Sequence, residues 1–152
     1  MPLRVLAVGK KHESWVTEGI ERYQKRLRAP FLLEWIFLPH SSLEGDRARQ
    51  EESERILSRL SANDYVILLD ERGKMLKSPA FSQLITDQLN SSHSVVLIIG
   101  GAYGVDATVH ARANTIWSLS PLVFPHQLVR LLLAEQVYRA EQIQRGSSYH
   151  HD

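Results

Sequence analysis

Three short stretches carry residues that could hold and transform a ligand: Leu69-Asp70-Glu71-Arg72-Gly73-Lys74, Gly100-Gly101-Ala102-Tyr103-Gly104, and Leu119 to His126. A glycine pair directly after an apolar run lets backbone N–H groups come close to a ligand, because no Cβ intervenes. A tight turn would use the same glycines. The spacing is neither a Walker A loop, which needs Gly-Lys followed by Ser or Thr, nor the GxGxxG fingerprint, so the usual phosphate cradle is missing. His126 follows Pro125 and, as a histidine, titrates near neutral pH and can take up a proton. Glu135 and His150 are the other two candidate proton acceptors. Glu135 stands four residues before Arg139 in an apolar stretch, a spacing that equally suits an intrahelical ion pair. Arg130 and Arg139 could bind an anion, and Tyr149-His150 sets an aromatic ring beside an imidazole in a polar tail.

These residues need elements to position them. Apolar runs at Leu3 to Val8, Leu32 to Leu38, Tyr65 to Asp70, Ser94 to Ile99 and Thr115 to Leu119 read as strands. VILLD and VVLIIG are continuously apolar instead of alternating, the pattern of a parallel sheet covered on both faces. The intervening segments have helical periodicity. Trp15, Val16, Gly19, Ile20, Tyr23 and Leu27 fall on one stripe, with Arg22, Lys25, Arg26 and Arg28 toward solvent. Arg47 to Leu60 is a charged helix with a thin stripe of Ile56, Leu57 and Leu60. Ser78-Pro79 opens a third helix, with the serine as cap and the proline in the first turn, and Asp106 caps a short fourth. The fifth runs from Gln127 to Gln144 and stops before Gly146. Its apolar residues surround the axis, so it needs two packing surfaces: the sheet, and a second subunit.

The order βαβαβαβαβα predicts a doubly wound α/β domain, whose ligands sit beyond the carboxyl ends of the strands. The chain has 152 residues and 43% hydrophobic content, enough for one domain over residues 1–152. It has no cysteine, which excludes disulfides, thiolate metal sites and a cysteine nucleophile. Eighteen Lys and Arg against 17 Asp and Glu give no global field for polyanions, so a nucleic acid would be bound through local patches. No apolar run approaches the roughly 18 residues of a membrane span, and the N-terminal run is too short for a signal h-region; a soluble cytoplasmic protein is expected. His12, His40, His93 and His110 sit in polar or turn-like sequence without ligand spacing, and adjacent His150-His151 cannot readily share one centre, so no metal is predicted.

Five segments carry a resemblance across the whole chain: LAVGK at Leu6 to Lys10, LDERGK at Leu69 to Lys74, IGGAYG at Ile99 to Gly104, FPHQLVRLLLAEQVYRA at Phe124 to Ala140, and RGSSYH at Arg145 to His150. Together they resemble the SPOUT methyltransferases, and within them the RlmH family, which methylates a pseudouridine in large-subunit ribosomal RNA. The resemblance implies an α/β fold with a C-terminal trefoil knot, a mostly parallel sheet of five or six strands with helices on both faces, and a homodimer. It implies S-adenosylmethionine as cofactor, contacted by Leu69, Gly100, Leu119, Ser120, Pro121, Leu122, Val123 and Phe124. Apolar walls such as Leu119, Leu122 and Phe124 suit a flat adenine whose edge is read by backbone groups. Many relatives carry Ser or Thr near Pro121 and Val123, and end in Tyr-His followed by Lys or Arg; this chain ends Tyr149-His150-His151-Asp152.

The implied reaction methylates N3 of a pseudouridine in 23S ribosomal RNA, on assembled ribosomes. It requires removal of the N3–H proton and alignment of the nitrogen with the methyl carbon. His126, Glu135, Arg139, Tyr149 and His150 are the candidate catalytic residues, and which one accepts the proton is open. The resemblance places Tyr149 and His150 at the active site, where they could stack on an extruded base. The competing readings are a noncatalytic RNA- or ribosome-binding α/β protein and a flavodoxin-like nucleotide-binding module. Three expectations follow. Gly100→Val should fill cofactor space, Leu133→Asp or Val137→Asp should break a dimer interface, and removal of residues 148 to 152 should spare stability.

Overall fold

The apolar runs form one parallel sheet in the computed structural model, which describes residues 2–151; Asp152, the end of the unusual tail, lies outside the described residues. Its strands are β1 (Leu3–Val8), β2 (Leu33–Leu38), β3 (Asp64–Met75), β4 (Ser94–Ile99) and β5 (Thr115–Ser118), in spatial order β2-β1-β4-β3-β5 with every pairing parallel. The helices between and after them are α1 (Ser14–Gln24), α2 (Gly45–Leu57), α3 (Ser78–Asn90), α4 (Ala107–Arg112) and α5 (His126–Gln144).

Successive strand residues point to opposite faces, which explains two buried clusters. Leu3, Val5 and Ala7 of β1 with Val95, Leu97 and Ile99 of β4 face α1, α3 and α5. Leu6, Val8, Val96 and Ile98 face the other way, toward Ile56 of α2 and Val109 of α4. The doubly wound expectation holds, with three helices on one face and two on the other.

Sequence and structure differ at five local points. β3 continues beyond Asp70: it leaves the ladder after Leu69↔Trp117 and rejoins at Lys74↔Trp117, so residues 70–73 bulge out of register. α2 begins at Gly45 and ends at Leu57, leaving Leu60 beyond it. The cap of α3 is Lys77, without a side-chain bond; Ser78 lies inside the helix and its hydroxyl donates to Gln136 Oε1 at 2.8 Å. Trp15 does not join the α1 stripe but is 49% exposed, while Leu27 is buried three residues past the helix end. Leu133 and Val137 are fully buried within one chain, so a charge there attacks the fold and not a subunit interface. Asp106 does cap α4, Oδ1 accepting from the Thr108 and Val109 N–H groups.

α5 packs against both α1 and α3. Its approach to α1 depends on Gly19, where a Cβ would stand 2.8 Å from Leu131 Cδ1. After Gln144 the chain closes in a Schellman turn: Ser147 N–H donates to Gln142 O and Gly146 N–H to Ile143 O, both at 3.0 Å, with Gly146 at φ +73°. This turn sends the tail back along α5.

Candidate active site

A cleft of about 940 Å3 opens at the carboxyl ends of β3, β4 and β5, where open α/β sheets place ligands. Three segments make its walls: Leu68 to Arg72 within β3, where its bulge begins, Ile99 to Ala107 at the end of β4 and beyond, and Leu119 to Phe124 after β5. Leu69, Gly100, Leu119, Ser120, Leu122, Val123 and Phe124 all line it; Pro121 alone of the expected cofactor residues does not. Leu122 and Val123 form an exposed lip, at 67% and 78%. The Ser120 hydroxyl accepts the Leu122 N–H, and its carbonyl accepts the Ser118 hydroxyl, both at 3.0 Å. The loop therefore uses its own serines to hold its shape.

The β4 loop folds on itself through Gly104 N–H to Gly101 O at 3.0 Å. A Cβ at Gly100 would meet Val105 Cγ1 at 3.1 Å. Valine at this position therefore presses on Val105 and Gly104 of the same loop, which line the cleft with Gly100, and would distort the loop that shapes it. Trp117 stacks on Phe81 at 4.1 Å in the floor, and its buried Nε1 has no hydrogen-bond partner among the described residues.

Sequence reasoning singled out the stretches that hold Asp70, Arg72 and Tyr103 without giving these side chains a role, and it missed Arg49 and His110. Asp70 accepts from Arg72 Nε and Nη2 at 3.1 and 2.9 Å and lies 3.4 Å from His110 Nε2. The Arg72 hydrogen bond holds the Asp70 carboxyl below its ordinary range. Arg49 Nε donates to Tyr103 O at 2.9 Å. His110 is thus part of a site, not an uninformative surface histidine. Only its placement one turn into α4, which sequence does not orient, brings it to the cleft.

His126, the first residue of α5, lines the cleft and is half-buried. Burial lowers its pKa, the Arg130 cation adds to that, and Glu52 opposes it. The ring is therefore neutral at pH 7, and it makes no hydrogen bond or ion pair among the described residues.

The other expected catalytic residues gather elsewhere. Glu135 Oε2 lies 2.9 Å from Arg139 Nη2 and accepts the Tyr149 hydroxyl at 3.1 Å, while Oε1 accepts from Gln136 Nε2 at 2.8 Å. The Arg139 guanidinium covers the Tyr149 ring at 4.9 Å and meets His150 Nδ1 at 3.0 Å. Tyr149 also makes an edge contact with Tyr138 at 4.9 Å. Burial, aided by the Glu135 carboxylate, pushes the Tyr149 hydroxyl up to about 12. The tail is therefore docked on α5 and not a free terminus, and its removal will cost stability. Glu135 lies nine residues beyond His126 on the same helix, about 13 Å at 1.5 Å per residue.

Arg130 is not available to RNA. It is 1% exposed, donates from Nη1 to Lys10 O at 2.8 Å, and lies 5.3 Å from the Phe37 ring centre. His12, nearby, sits edge-on to Trp35 and Phe37, and burial with the Arg130 charge lowers it to about 4.

Among the described residues no cluster of three or more His, Asp or Glu could hold a metal ion, and no helix is long and apolar enough to cross a membrane. Residues 1–150 match the family described as predicted SPOUT methyltransferase. Three similar proteins each bear the name Ribosomal RNA large subunit methyltransferase H. That of Desulfitobacterium hafniense (strain Y51) is 41% identical and that of Streptococcus suis 40%, each aligned over 99% of both chains. That of Hahella chejuensis is 38% identical over 100% of both.

Proposed function

The chain belongs to the SPOUT methyltransferase family, and from that premise we infer that it methylates N3 of a pseudouridine in 23S ribosomal RNA with S-adenosylmethionine, acting as a homodimer on assembled ribosomes in the cytoplasm. Membership implies the trefoil crossing of the last strand ends. It also favours this reading over a flavodoxin-like module.

The observation that carries the proposal is the convergence of three separate loops on one cleft. Its volume of about 940 Å3 lies within the range of small-molecule sites, which are mostly apolar with a few placed polar groups. Leu119, Leu122 and Phe124 give flat apolar walls, and the turn at Gly100 to Gly104 gives backbone groups, so the residues fit an adenosine-bearing cofactor. Bound there, S-adenosylmethionine supplies an electrophilic methyl group on a sulfonium.

Of the three candidate proton acceptors, His126 is the one on the cleft wall with an uncommitted ring. Its neutral form can take the N3–H proton. Glu135 is already engaged by Arg139, Gln136 and Tyr149. The Glu135–Arg139–Tyr149–His150 cluster holds the RNA, with Arg139 meeting phosphate or base and Tyr149 offering a ring to stack on. Because cluster and cleft do not share a wall in one chain, the dimer brings them together. Leu128 and Leu132, half-buried one turn apart on α5, offer it an apolar strip.

The test is incubation of ribosomes lacking the modification with the protein and methyl-labelled S-adenosylmethionine. Label is expected in the large-subunit RNA, at N3 of pseudouridine. Binding to ribosomes without transfer would instead favour the noncatalytic reading.

A further inference from the structure

The end of α1 carries four cations that the proposed reaction has not used: Arg22, Lys25, Arg26 and Arg28, all exposed. None of their side chains makes an ion pair or a hydrogen bond among the described residues. Elsewhere arginines meet carboxylates on their own helix, Arg49 with Asp46, Arg55 with Glu51 and Arg139 with Glu135. Glu18 and Glu21 stand four residues before Arg22 and Lys25, a spacing that suits such pairs, yet neither pair forms among the described residues.

The backbone that presents these cations is pinned. Winding continues past Gln24, with Arg26 N–H donating to Tyr23 O at 3.0 Å and Leu27 N–H to Gln24 O at 3.1 Å, and Leu27 is buried. Arg28 N–H then donates to Glu141 Oε2 at 2.8 Å. Glu141, on α5, is 2% exposed, so a buried carboxylate bonds the peptide and leaves the guanidinium outside. A bond to an ionised acceptor is among the stronger ones.

This turn borders the tail cluster. α1 and α5 run side by side in the same direction: Glu13 N–H donates to Gln127 Oε1 at 3.0 Å near their starts, Gly19 meets Leu131 midway, the Tyr23 and Tyr138 rings lie 5.8 Å apart, and Arg28 reaches Glu141. Tyr138 in turn holds the Tyr149 ring at 4.9 Å, and that ring lies under Arg139. Tyr23 is thus one ring away from the tail, with Arg22 just before it and Arg26 one turn of helix beyond Arg22. At 100° per residue both arginines fall on the flank of Gly19, toward α5, and Glu21 falls opposite.

Free cations beside an aromatic ring suit a single-stranded nucleic acid, phosphate on the cations and a base on the ring. With a formal net charge of only +1, the chain must hold a polyanion through a local patch. Four unpaired cations within seven residues provide one. We propose that Arg22, Lys25, Arg26 and Arg28 bind the phosphodiester backbone of the substrate RNA beside the target nucleoside. This assignment rests on the reading of the tail cluster as the contact for that RNA.

The test measures co-sedimentation of the intact protein with large ribosomal subunits lacking the modification, over a range of salt. Arg22→Gln/Arg26→Gln is compared with Arg22→Lys/Arg26→Lys. Both positions are exposed, so melting temperature and S-adenosylmethionine affinity should stay as in the original. The glutamine variant should bind about tenfold more weakly near physiological salt, and its slope of log affinity against log salt should be shallower by about 1–2. The lysine variant keeps the charge and should keep most of the slope. Methyl transfer by the glutamine variant should fall about tenfold when subunits are limiting and recover when they saturate, the pattern of lost uniform binding. Unchanged affinity and slope in that variant would overturn the proposal. So would loss of the dimer, which would place the arginines between protein subunits. A defect seen on intact subunits but absent with protein-free large-subunit RNA would also overturn it, with an acidic ribosomal protein in the place of phosphate. Salt-dependent binding through the patch, in a protein that never transfers methyl, would uphold the surface and overturn the proposed reaction instead.

Discussion

The strand-end cleft and the tail cluster on α5 are built on opposite principles. In the cleft, beside the held Asp70–Arg72 pair, several groups have no hydrogen-bond partner among the described residues: the His126 ring, Trp117 Nε1 and, behind the wall, Glu52 Oε1. In the tail cluster each group already has one, since Glu135 bonds Arg139, Gln136 and Tyr149, and Arg139 meets His150. Unpaired groups at an open cleft lose little when a small ligand arrives and gain bonds. A self-satisfied cluster must give up bonds to receive a substrate, which suits a large partner that can return many contacts. On the proposed reading, the difference means that one chain prepares its cofactor site in advance and keeps its RNA contacts closed until a substrate displaces them.

The largest effect should come where both regions share a support. Leu133→Asp or Val137→Asp places a charge at a fully buried position of α5 and should cost on the order of 3 kcal/mol or more. Circular dichroism and thermal melting should show both regions lost together. A folded monomer would mean that α5 packs between chains instead.

Next, His126→Asn should lower methyl transfer about a hundredfold or more while calorimetry finds S-adenosylmethionine affinity within about threefold of the original. Undiminished turnover would move the proton acceptor out of the cleft.

Third, deletion of residues 148 to 152 should reduce methyl transfer at least about tenfold, roughly 1.4 kcal/mol of transition-state stabilisation, and leave cofactor affinity unchanged. Because Tyr149 packs on Tyr138 and bonds Glu135, melting should also show a loss of about 1–2 kcal/mol. Tyr149→Phe should retain the ring contacts and lose only the hydroxyl bond. Equal stability in the truncated chain would contradict the docked tail.

The smallest separation is by pH. His12, beside the buried Arg130, falls from 6.5 to about 4 in the folded protein, so the unfolded chain binds its proton first. The stability it contributes is complete above 6.5 and is lost as pH falls toward 4. Tyr149 rises from 10.0 to about 12, so its contribution is complete below 10.0 and is lost as pH climbs toward 12. Melting temperatures of His12→Gln and Tyr149→Phe across both ranges should flatten the acid slope and the alkaline slope respectively.

Much of the scaffold was legible because the strands are buried on both faces: VILLD and VVLIIG leave no other placement for so much apolar surface. Residues 70–73 were not, since a bulge is set by register with β5 and a charged Asp-Glu-Arg run reads as a turn. The cleft was legible because its three loops follow three readable strands. Arg130 could be offered as an anion contact from sequence because a group that holds it inside, the Lys10 carbonyl, is 120 residues away in sequence. Glu52 was missed inside a charged helix, although Ala48, Glu52 and Ile56 fall four residues apart and are all buried; that spacing was the available signal. Wheel geometry showed that α5 is apolar all round, but not that α1 and α3 already cover Leu133 and Val137.

The central claim is that the strand-end loops, and not the tail, receive the cofactor. Backbone amide shifts followed by NMR during titration of the intact protein with S-adenosylmethionine test it most directly. The account predicts the largest changes at Leu69, Gly100 to Gly104, and the non-proline residues of Leu119 to His126, with Ser147 to His151 nearly still. Unmoved cleft amides at saturating cofactor, or changes confined to the tail, would contradict it.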